Sequence, residues 1–110
     1  MILKNEPLTE SYFYILLCLY EKANHGYGIM QEAERLSEGQ VKIGSGTMYG
    51  ATGNMIKKGW IKEIDNLNPE DKRKRLYELT PIGKSVLLEE IIRLKRLVEG
   101  ARTVMGEEVI

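Results

Sequence analysis

Residues 45–80, SGTMYGATGNMIKKGWIKEIDNLNPEDKRKRLYELT, decide the fold of this 110-residue chain. The part from 45 to 58 has helical spacing and stops at Gly59. Two strand-like runs follow, at 60–64 and 75–79. Between them lies a polar loop that ends in four consecutive cations, Lys72, Arg73, Lys74 and Arg75. Thr80-Pro81 has the form of a helix cap followed by a first-turn proline. A helix with small polar residues on its outer face, joined to a basic-tipped hairpin, is how a winged helix-turn-helix meets duplex DNA.

Working outward toward the N-terminus, Thr9 is placed to cap a first helix running to about Lys22. Its sequence, SYFYILLCLYEK, is apolar around most of its circumference. One face fills a core, with Cys18 inside it. The rest, Tyr12 included, needs another cover, and a partner subunit is the simplest one. Asn24-His25-Gly26 reads as a turn, with His25 capping or packing. A second helix spans 27–36, with Ile29, Ala33 and Leu36 at core spacing, and Gly39 ends it. Residues 41–43 suit a short strand beside the hairpin.

In the third helix, Ser45 is placed to accept a hydrogen bond from the first-turn amides. Met48, Thr52, Met55 and Ile56 fall inward; Thr47, Gly50, Gly53, Asn54 and Lys57 fall outward. Each interior glycine costs about 1 kcal/mol relative to alanine. Gly46, Gly50 and Gly53 therefore make this a poor helix in isolation. Either close approach to a duplex or close packing against the second helix accounts for them. Trp60, at the base of the hairpin, is expected to pack the hairpin onto the third helix, with lining a ligand pocket as the alternative.

The last helix is expected from Pro81 to about Met105. Leu87, Ile91, Leu94, Val98, Ala101 and Met105 recur at spacings of four and three, a coiled-coil seam. Leu88 and Ile92 widen it. Pairing with the same helix of a second copy is the expected cover, and packing on the first helix is the alternative. The fold class is then mainly α with a small β-hairpin wing (α+β). Residues 1–80 form the winged helix-turn-helix, and residues 81–110 form the dimerisation helix of the same compact unit.

Composition agrees with one small soluble domain: 43% hydrophobic and 29% charged residues. Formal net charge is zero, but the charge is unevenly spread. Residues 39–84 hold nine Lys/Arg against five Asp/Glu, a local +4 that the remainder offsets. That basic centre suits a polyanionic partner. One cysteine and one histidine provide neither a disulfide nor a zinc set. The apolar run at 12–20 is too short to span a bilayer, and the N-terminus lacks a signal-peptide pattern. No cofactor, metal or membrane is expected, and the cytoplasm is the expected location.

Ser45, Thr47 and Asn54 can donate to phosphate or read base edges, and Asn54 suits a bidentate adenine contact. The four-cation run can neutralise several phosphates. Gly44-Ser45-Gly46 also imitates a nucleotide-binding glycine loop. Glycines at 44, 46 and 50 miss the G-x-G-x-x-G spacing, however, and a hairpin follows where a parallel strand should be. His25 has no nucleophile or second histidine at motif spacing, so no catalytic residue is assigned.

Three segments together resemble the PadR family of winged-helix transcriptional regulators. HGYGIMQE is similar to that family's start of helix two. SGTMYGATGNMIKKGWI resembles its third helix, and RKRLYELTPIGKSVL its wing strand and following helix. The resemblance implies a DNA-binding homodimer, usually a repressor, paired through the long C-terminal helix and helix one. By position it implies that Ser45, Thr47, Tyr49 and Asn54 face double-stranded DNA. Tyr49 stands where the family places a phosphate-contacting tyrosine. Thr52 and Gly53 depart from the family's pattern. No aromatic residue follows Tyr77, so the stacking of planar drugs seen in some relatives is not implied. Release by a small-molecule effector is an expectation from the family and the apolar seam. A winged helix that binds protein and no DNA is the alternative.

Overall fold

The computed structural model describes residues 6–66 and 75–109. Helix α1 (Glu10–Cys18) starts as expected, with Thr9 Oγ1 accepting the Tyr12 N–H at 3.1 Å. It ends well short of Lys22. The amides of Leu19 and Tyr20 bond to the carbonyls of Leu16 and Leu17, an i→i−3 pattern that tightens and closes the last turn. The expected turn at Asn24-His25 is instead a two-residue strand, β1 (Asn24–His25). Its partner lies far along the chain, which is why local sequence did not reveal it.

Helix α2 (Gly26–Leu36) follows directly, capped by His25, whose Nδ1 accepts the Gly28 N–H at 3.1 Å. Gly28 is required there, because a Cβ would collide with the Asn24 side chain. That side chain is held in place by accepting the His25 N–H at 2.8 Å. The helix closes in a Schellman turn: Gly39 N–H reaches the Glu34 carbonyl at 2.8 Å, with Glu38 and Gly39 both at positive φ. Ile29 and Ala33 are buried, but Leu36, in the last turn, is exposed.

Residues 41–43 form no strand. Val41 and Ile43 are nevertheless buried, and they enter the core from an irregular segment. Helix α3 (Ser45–Lys57) has Gly44 at its cap position, so Ser45 is the first helical residue and not the cap. Its inner face is Met48, Ala51, Thr52 and Met55. Ile56 is exposed, because one further residue turns the side chain about 100° away from that stripe.

Strands β2 (Ile61–Ile64) and β3 (Leu76–Leu79) are antiparallel, with Ile61 opposite Leu79 and Ile64 opposite Leu76. β1 pairs with the other edge of β3, with Asn24 opposite Tyr77, giving the order β1-β3-β2. Helix α4 (Pro81–Met105) matches the expected bounds. Thr80 Oγ1 accepts the Gly83 N–H at 3.1 Å, and Pro81 occupies the first turn. The Thr80 N–H also donates to the Trp60 carbonyl at 3.0 Å. Gly83 leaves no room for a Cβ against that same carbonyl, so α4 sits flush on the hairpin base.

The core joins α1, α2, α3, the sheet and the first half of α4 through Ile15, Leu16, Ile29, Met55, Ile61 and Leu87. With 25 residues, α4 is about 37 Å long, and its buried residues all lie in its first half. Among the described residues, Glu90 is the one buried carboxylate. It accepts the Leu8 N–H at 3.1 Å and both Nε and an Nη of Arg93 at 2.8 Å. The Arg93 guanidinium holds its carboxyl below the ordinary range, against the opposing effect of burial.

Candidate nucleic-acid interface

The outer face of α3 follows from the face that is buried. With Met48, Ala51, Thr52 and Met55 turned inward, Ser45, Thr47, Tyr49, Asn54 and Lys57 are all exposed. The Tyr49 side chain is 71% exposed, unusual for an aromatic residue on a helix that is otherwise anchored in a core. Gly46, Gly50 and Gly53 lie on the same outer side, and a Cβ at any of them would meet nothing within 4 Å. Close packing against α2 therefore does not account for these glycines. They leave the outer backbone of α3 open to its surroundings.

Thr52 shows how a polar residue is accommodated on the inner face. Its hydroxyl donates to the Met48 carbonyl at 3.0 Å, with the Tyr49 carbonyl at 3.2 Å. No side chain caps the first-turn amides of α3, so they are free to meet an acceptor. Beside them a cleft of about 260 Å³ opens, walled by Tyr27, Met30, Tyr49 and Tyr77, with Arg75 at its rim. The cleft thus joins the starts of α2 and α3 to the last strand of the hairpin.

Of the four-cation run, Lys72, Arg73 and Lys74 lie outside the described residues. Arg75 is described, exposed, with Nε 4.0 Å from Glu63 across the hairpin. Lys62 and Glu78, directly opposite one another on β2 and β3, pair at 3.4 Å. Exposed pairs of this kind contribute little stability and release their cations readily.

Asn54 does not stand alone on its face. Its Nδ2 donates to the Tyr12 hydroxyl at 3.0 Å. The Tyr12 ring in turn meets Trp60 edge-on, with centroids 6.5 Å apart at 87°. Trp60 is thereby packed against α1, while its backbone N–H bonds to the Met55 carbonyl of α3 at 2.9 Å and the Lys58 ammonium sits 5.0 Å above its ring. Nothing in the local sequence signals the Tyr12–Asn54 bond, since its ends are 42 positions apart. Glu90 was legible in principle: it falls on the Gly83, Val86, Leu87 stripe that α4 buries.

The residues expected to form the pairing seam divide into two sets. Leu87 is wholly covered by its own core, and Ile91 packs against that core. Leu94, Val98 and Met105 are exposed, with Leu88, Ile92, Leu97 and Val104 beside them. Ala101 and Tyr12 are half-buried. The Cys18 thiol is half-buried against the Ile29 carbonyl, and burial pushes it up to about 11, where it stays protonated and unreactive. Among the described residues no cluster of acidic, histidine or cysteine side chains is arranged to hold a metal ion. No described helix is long and apolar enough to cross a membrane.

A transcriptional regulator PadR-like family model matches residues 15–89, well over half the chain. No curated protein matches the sequence. Among solved structures, a PadR family transcription regulator from Clostridium difficile is similar at 26% identity and TM-score 0.72, over 89% of this chain and 100% of that one. A transcriptional regulator from Clostridium thermocellum is similar at 22% identity and TM-score 0.68, over 90% and 92% of the two chains. Bacillus subtilis PadR, solved in complex with operator DNA, is similar at 21% identity and TM-score 0.65, over 74% of this chain and 46% of that one.

Proposed function

Because this chain belongs to the transcriptional regulator PadR-like family, we propose that it is a sequence-specific DNA-binding repressor that acts as a homodimer in the cytoplasm. Helix α3 enters the major groove, and the hairpin grips the flanking backbone. Ser45, Thr47 and Tyr49 contact phosphate and base edges, Asn54 reads a base, and Lys57 and the wing cations Lys72, Arg73, Lys74 and Arg75 neutralise phosphates. Residues 1–80 serve reading and residues 81–110 serve pairing. A small-molecule effector releases the operator by shifting the angle between the two long helices, and so the spacing of the two reading heads.

The observation that carries this reading is the outer face of α3, where a highly exposed tyrosine and uncapped amides border glycines with open space beyond them. A duplex backbone is an object that needs both the donors and the clearance. The operator complex of the Bacillus subtilis relative lends the reading further support. Pairing is supported by the exposed Leu94, Val98 and Met105, which a second α4 would cover.

The test is binding of the purified protein to random-sequence duplex across a salt series. A log–log slope of several units indicates several phosphate contacts and supports the reading. The zero net charge of the chain also permits a second reading, a winged helix that binds protein. A flat salt response, unchanged by replacing Lys72, Arg73, Lys74 and Arg75 with alanine, would decide for it.

A further inference from the structure

The Tyr12–Asn54 bond is the one side-chain hydrogen bond among those described that ties the outer face of α3 to another helix. Asn54 is exposed, so this bond does not repair a buried polar group. Its consequence is orientational. A free asparagine amide turns readily about its last torsion, and its oxygen and nitrogen exchange places at small cost. The Tyr12 hydroxyl both donates and accepts, so what the bond fixes is the place of the amide on the outer face; with Nδ2 toward α1, Oδ1 and the second N–H are left free. A carbonyl oxygen and one N–H are the set that a bidentate contact to adenine uses.

The Tyr12 hydroxyl is itself held. Its ring stands edge-on to Trp60, Trp60 is 9% exposed, and the Trp60 carbonyl is bonded by the Thr80 amide at the start of α4. The hydroxyl is therefore fixed relative to the hairpin base and to α4, not only to α1. From this geometry we infer that Tyr12 is a positioning residue for DNA reading: its hydroxyl presets the Asn54 amide, so selectivity at one base depends on a residue outside the recognition helix. The inference rests on the proposed reading of α3 as the helix that meets DNA. It also gives α1 a route to the reading face, since any movement of α1 against α3 releases the Asn54 amide.

The experiment is selection from a random duplex pool, followed by affinity measurements on the selected and the random duplex, for the full chain and for Y12F, N54A and the double variant. Tyr12→Phe keeps the ring against Trp60 and removes only the hydroxyl. Emission from Trp60, the only tryptophan in the chain, should therefore be unchanged. The expected result is a loss of about three- to tenfold in preference for the selected duplex, the range of one hydrogen bond. The loss in Y12F should be no larger than in N54A, the double variant should lose no more than N54A alone, and the salt slope should be unchanged.

Full selectivity in Y12F overturns the inference, and so does a double variant that loses the sum of the two single losses. A reduced salt slope in Y12F also overturns it, because Tyr12 would then be seating the whole helix. If Y12F melts, N54A, which loses only an exposed side chain, carries the test: unchanged selectivity there overturns the inference as well. A wild-type chain with no duplex affinity fails the proposed function itself and removes this assignment with it. Wild-type binding with unaltered variants removes the assignment alone.

Discussion

The outer face of α3 and the far half of α4 are both exposed, and they are opposites. The first has lost side chains: glycines at 46, 50 and 53 with open space beyond them, bordered by Ser45, Thr47 and Tyr49. The second has kept apolar side chains that no described residue covers, Leu97, Val98, Val104 and Met105 among them. A stripe of small and polar residues suits a hydrated, charged, rigid object approached closely. An apolar stripe suits another apolar stripe. On the proposed function, the contrast separates two tasks on different surfaces, reading on one and pairing on the other.

The comparison breaks most forcibly at α4. On the proposed pairing, Val98→Glu places an unpaired charge in the seam of each subunit. That costs about 3–5 kcal/mol per buried charge, enough to dissociate the pair. Sedimentation velocity should show a monomer whose fold, by circular dichroism, is intact; an undisturbed dimer would remove Val98 from the interface.

The next largest effect contrasts two kinds of glycine. Gly83→Ala drives a methyl into the Trp60 carbonyl at the junction of α4 and the hairpin. A loss of about 3 kcal/mol is expected in a denaturant titration, since the obstacle is backbone that cannot step aside. Gly50→Ala and Gly53→Ala should do the reverse, each raising stability by up to about 1 kcal/mol through helix propensity alone. If the α3 glycines exist for clearance, the same two variants should bind duplex DNA more weakly while melting at a higher temperature. Stabilised variants with undiminished affinity would leave the glycines unexplained.

The smallest effect concerns the buried carboxylate of α4, Glu90. Arg93 holds Glu90 below the ordinary carboxylate range, so the ionised form is favoured in the folded chain. The contribution is present above that ordinary range and is lost as pH falls through the lowered value. Melting temperature should therefore drop more steeply with acid in the wild type than in Glu90→Gln. The wild-type excess at neutral pH should be modest and gone below the carboxylate range.

How much of this was legible in the sequence differs from element to element. The bounds of α4 were, because Thr80, Pro81 and the four-three spacing are local signals, and the cap bond forms as those residue types dictate. The end of α3 at Gly59 was legible for the same reason: Gly59 has a φ of 76°, a conformation that glycine supplies at little cost. The outward set on α3 followed from helical period. The expected capping role of Ser45 failed by one residue, a shift that local spacing does not resolve.

What the sequence by itself determined, then, is the order of the four helices and of the two hairpin strands, and the basic centre, since these depend on neighbours within a few residues. Tertiary structure alone decided the rest. It made Asn24–His25 a strand, because pairing energy comes from β3 and not from the dipeptide. It turned Leu36 and Ile56 outward, where no element arrives to cover them. It forbade a side chain at Gly83 and placed the Tyr12 hydroxyl on Asn54. Each of these depends on which distant atom comes to lie within a few ångströms, and a one-dimensional pattern does not encode that distance.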